Sequence, residues 1–267
     1  MLLASAACRS TYRADAEALG VRGKETGERL AAYYESLARD TVDQWELTAF
    51  RRGFLRLPEP DTDSRKQFET QYAALRSRAR MARRLGNVYE AFGSLASYDT
   101  GGKIMAEIEA LDEQLKDVTD NPLLEGRTGD VFDRLVRAIA SWKQNRELRP
   151  NEALLAETAE GVRALFRAER ELYRDIVRDR ADKYRQIATD LVEAKEVVSA
   201  PLVDRVLSSY GLEWPSTKQP FTDERTISGI KELIEARAKT FEAQGQSETD
   251  GVAAALSALV RAHEGLP

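Results

Sequence analysis

Residues 151–198 read NEALLAETAEGVRALFRAERELYRDIVRDRADKYRQIATDLVEAKEVV, a run without proline and with a single glycine, Gly161. Pro150 precedes it and Asn151 is a good N-cap, its side-chain oxygen able to accept from the backbone N–H groups left open at a helix start. A helix over this whole stretch would be on the order of 70 Å long, more than a compact domain of this size requires. The run therefore predicts an elongated, all-α protein.

The flanking sequence agrees. From about Tyr12 to Phe54, Leu19, Leu30, Tyr33, Tyr34, Leu37, Trp45, Phe50 and Phe54 recur mostly at three- and four-residue steps, as one buried helical stripe requires. Gly20 and Gly23 lower helix propensity, which puts the regular start near Lys24. Leu57-Pro58-Glu59-Pro60 ends the helix, because proline cannot donate to the ladder. Ser64-Arg65-Lys66-Gln67 has the form of a capping box. It opens a second helix whose seam, Phe68, Tyr72, Leu75, Ala79, Ala82, Leu85, Tyr89 and Phe92, suits an antiparallel partner. A third segment runs from Lys103 to Val118, and a fourth, capped by Asp130, carries Phe132 to Trp142. Past Pro201 come a short helix to Leu207, an irregular stretch around Trp214, a helix from Thr222 or Asp223 to about Phe241, a polar connection and a closing helix over Gly251–His263. The expected organisation is an elongated antiparallel helical bundle over 9–199 with long coiled-coil-like helices, and a smaller C-terminal helical lobe over 200–267. Trp45, Tyr72, Phe92 and Trp142 are expected in its core.

Composition bounds the function. Of 40 basic residues 30 are arginine, yet 45 acidic residues leave a net charge of −5, which argues against a general nucleic-acid binder. No stretch reaches the ~18–20 apolar residues needed to span a bilayer. One histidine, His263, and one cysteine, Cys8, leave no zinc set, no Cys–His pair and no Ser–His–Asp triad. Gly101-Gly102-Lys103 lacks the preceding strand of a phosphate loop. The expectation is no enzyme, no catalytic residue, no metal and no cofactor, with His263 read as a cation on a helix C-terminus.

Two arginine tracks remain. Arg76, Arg80, Arg83 and Arg84 share one side of the second helix, and no carboxylate lies between Glu69 and Glu90. They are candidates for a surface that meets an anionic partner, or for compensation by the acidic face of a neighbouring helix, the outcome favoured here. Arg163, Arg167, Arg170, Arg174 and Arg178 follow a similar track, but Glu160, Glu169, Glu171, Asp175, Asp179 and Asp182 lace it into a solvated face.

At the other end, Met1-Leu2-Leu3-Ala4-Ser5-Ala6-Ala7-Cys8 is a short apolar and small-residue run closed by the single cysteine. It resembles the end of a bacterial lipoprotein signal peptide, although Ser5 stands where most such sequences have leucine and no basic residue precedes the run. The resemblance implies residues 1–8 as a signal-peptide remnant with the start codon upstream, Cys8 as the lipidated residue, and a cell-envelope location facing the periplasm or exterior. It implies attachment to the membrane through the lipid alone. The expected role is a binding or scaffolding module with a protein partner or with itself, and no small-molecule ligand is evident from the sequence. The alternative is a cytosolic helical adaptor or a self-associating structural protein.

Overall fold

A computed structural model describes residues 2–58, 60–97, 101–120, 148–193 and 224–264. They form five α-helices and no strand: α1 (Leu2–Phe54), α2 (Thr62–Ser97), α3 (Gly101–Asp120), α4 (Leu148–Glu193) and α5 (Glu224–Glu264). The protein is all-α, an elongated bundle of long, mostly antiparallel helices. The helix expected around Phe132 to Trp142, the short one from Pro201 and the stretch at Trp214 lie outside the described residues.

Helix α1 is longer than its glycines suggest. It passes through Gly20 and Gly23 without a break, and tertiary contact explains why. A Cβ on Gly20 would stand 2.6 Å from the Gly93 Cα, and one on Gly27 would stand 2.7 Å from the Gly86 Cα. The glycines recur seven residues apart on both helices, so the two backbones touch along an antiparallel seam, and packing outweighs propensity. Further along the same register the seam changes character: Trp45 of α1 stacks on Phe68 of α2, ring centroids 4.9 Å apart.

The turn between them is built from sequence signals. Leu57 N–H donates to Arg52 O and Arg56 N–H to Gly53 O, the paired bonds of a Schellman cap. Arg56 takes the left-handed position with φ of 53°, a place glycine usually fills. The cap of α2 is Asp61, whose Oδ1 accepts from the Ser64 N–H at 2.6 Å, so Ser64 is not the cap its sequence pattern implied. Pro150 lies in the first turn of α4, where no backbone N–H is required.

α4 runs parallel to α1, with Asp40 meeting Arg180 and Arg51 meeting Asp190. α5 returns antiparallel along α4 through Arg170–Asp250, Arg178–Glu242 and Arg185–Glu235. α3 folds back on α2. Being central, α1 buries the adjacent pairs Leu30/Ala31, Tyr33/Tyr34 and Leu37/Ala38, more than the single stripe its spacing predicted. One main core joins all five helices, and a small second cluster sets Ile230 and Ile234 of α5 against Tyr184, Ala188 and Val192 of α4. α5 does not break at its polar stretch: Gly245 packs on Val177, and the buried Thr249 hydroxyl bonds the Tyr33 hydroxyl at 2.7 Å. Phe92 is fully buried, whereas Trp45 is half-buried and Tyr72 is 37% exposed, against expectation.

Candidate functional site

The arginines expected on one side of α2 divide between two neighbours. Arg76 and Arg83 turn towards α1 and share Glu35, the former at 3.8 Å. Arg80 and Arg84 turn towards α3, reaching Gln114 at 2.8 Å, Asp117 at 3.3 Å and Glu107 at 3.4 Å. Of these, Glu35, Arg80, Arg83, Arg84 and Gln114 border, with Lys24, Glu28 and Asn87, an open cleft of about 580 Å³ between α1, α2 and α3. Lys24 pairs with Glu90 at 2.5 Å. Each of the five cations, Lys24, Arg76, Arg80, Arg83 and Arg84, thus lies within 4 Å of a carboxylate, Glu35, Glu90, Glu107 or Asp117. Each guanidinium is about half exposed, so the pairs are worth little individually.

Arg78, outside that stripe, is the arginine that sequence reading missed. Its side chain and that of Glu169 on α4 are both fully buried. Arg78 Nε donates to Glu169 Oε2 at 2.8 Å, and Nη2 donates to Oε1, making a two-pronged pair. The Tyr173 hydroxyl donates to the same carboxylate and lies 3.3 Å from the Tyr34 hydroxyl. Tyr33, Tyr34, Phe166 and Tyr173 enclose the pair with ring centroids 5.3–6.5 Å apart. Burial raises both tyrosine pKa values, Tyr34 and Tyr173 alike. For Arg78 burial acts downward, but Tyr173 and Glu169 raise it further, so its charge is secure. Glu169 thus points into the core instead of lacing the solvated face of α4. A signal was present: Arg78 interrupts the seam Leu75–Ala82–Leu85, and Glu169 stands between Phe166 and Tyr173.

His263 is also placed differently from expectation. It is 8% exposed, its Nε2 shares a 2.8 Å hydrogen bond with the Tyr89 hydroxyl, and burial lowers its pKa to about 4. It is a neutral core group, not a cation on a helix end. On the long helix the solvated reading fits the geometry: Arg163 pairs with Glu160, Arg174 with Glu171 and Asp250, and Arg178 with Asp175.

Among the described residues no three His, Cys, Asp or Glu side chains converge on a cation position. No described helix is long and apolar enough to cross a membrane. No protein-family model, curated protein or solved structure matches the chain.

Proposed function

We propose that the protein is a lipid-anchored bacterial envelope protein acting as a non-enzymatic binding or scaffolding module. The feature that carries this reading is the Met1–Cys8 run, apolar and small residues closed by the single cysteine of the sequence. From Cys8 to Phe54 the axis of α1 covers about 70 Å, a rigid spacer that would carry the hairpin turn well away from the anchor. At that turn Phe50 (54%), Leu55 (40%) and Leu57 (46%) are exposed together. Clustered large apolar residues in water favour contact with a partner protein or a second copy, which also keeps a cytosolic adaptor as the second reading.

Expression with the native upstream region should give a chain that incorporates radioactive palmitate, and Cys8→Ser should abolish the label. Unlabelled wild-type protein in the soluble fraction would overturn the anchor and leave the adaptor.

A further inference from the structure

We propose that the cleft beside the Trp45–Phe68 pair binds an uncharged oligosaccharide. It is a separate place from the arginine-bordered cleft, about 390 Å³ in volume, with walls from α1, α2 and α4. That size falls within the range of small-ligand sites.

The chemistry of its walls selects the ligand. Gln44 comes from α1, and Gln67 and Gln71 lie one turn apart on α2. Their amides make no hydrogen bond to other described residues, although ion pairs link neighbouring helices elsewhere in the bundle. An amide offers a donor and an acceptor side by side, and so does a sugar hydroxyl, so three amides from two directions match a polyhydroxylated ring. The stacked aromatic pair adds an apolar wall. The charged groups of the lining are one of each sign, Asp179 and Lys183, a single turn apart on α4. An anionic ligand would need a surplus of cations, and a lipid chain would need a mainly apolar wall. Neither is present.

The inference gives the binding module a ligand and rests on that reading, but not on the lipid at Cys8. The test uses the full chain made without lipidation and titrated calorimetrically with chitotetraose, cellotetraose and maltotetraose. One of these should bind saturably at micromolar to millimolar concentration. Gln67→Ala with Gln71→Ala, and separately Gln44→Ala, should weaken binding about tenfold or more with unchanged circular dichroism. Arg80→Gln, in the other cleft, should leave it unchanged. Absence of saturable heat with all three sugars, or binding indifferent to the glutamine changes, overturns the proposal. Palmitate labelling is read independently, so loss of the saccharide and loss of the anchor are told apart.

Discussion

The α1–α2 hairpin is closed at one end and open at the other, and the same seam produces both. Gly20 meets Gly93 and Gly27 meets Gly86, so backbone rests on backbone. Trp45 and Phe68 occupy the equivalent places farther along, and two stacked rings hold the helices apart. At the closed end two buried polar pairs tie the helices together, Arg78 with Glu169 and Tyr89 with His263. At the open end three glutamine amides and the apolar turn face water. The size of the seam residue decides how closely the two backbones approach.

The sharpest way to break this contrast is to strand a charge at the closed end. Glu169→Ala leaves the Arg78 guanidinium buried without its carboxylate, and should cost about 3–5 kcal/mol in urea unfolding. The double change Arg78→Met with Glu169→Leu should recover most of that loss, because the desolvation of both ions disappears with them. A single-mutant loss under about 1 kcal/mol would show that the pair is not the dry contact described here.

His263 tests the same end by pH. Its folded pKa, about 4, lies below the ordinary 6.5. The unfolded chain therefore binds the proton first, and stability falls as pH drops from 6.5 towards 4, by at most about 3 kcal/mol. His263→Gln should flatten that part of the profile, and a profile identical to wild type would place the imidazole in water. Tightening the seam directly is a comparable perturbation. Gly27→Ala puts a methyl group into the Gly86 backbone and should cost about 1–3 kcal/mol by overpacking, while Gly53→Ala, with nothing within 4 Å, should cost nothing.

The smallest effect is expected on the wet face of α2. Replacing Arg76, Arg80 and Arg84 with Gln removes half-exposed pairs, each worth about 0–1 kcal/mol. The loss should shrink as salt is added. A triple mutant of full stability that loses a salt-sensitive partner would instead make this stripe a docking surface.

The open end was the part least legible in the sequence. Leu75, Ala82, Leu85 and Phe92 announced their helix face correctly because their spacing is a local property. Tyr72 shares that spacing but lies in the splayed part of the seam, so its exposure depends on Trp45 and Phe68. Gly20 and Gly23 read as weak helix because their value lies in contact with Gly93 and Tyr89, far away in the chain. Arg78 was visible as a break in an apolar seam, but its partner stands 91 residues later and no local pattern pairs the two. His263 followed a sound rule for helix ends until α2 covered it.

The hydrogen bonds from Tyr33 to Thr249 and from Tyr89 to His263 span 216 and 174 residues. They set an order of events during synthesis. The hairpin of α1 and α2 can form early, but Tyr33 and Tyr89 lack these two partners until α5 has been made. Closing such distant loops is slow compared with forming local helix pairs. A growing chain therefore carries a half-finished aromatic surface for most of its translation, and a nascent protein in that state is the one a chaperone would meet.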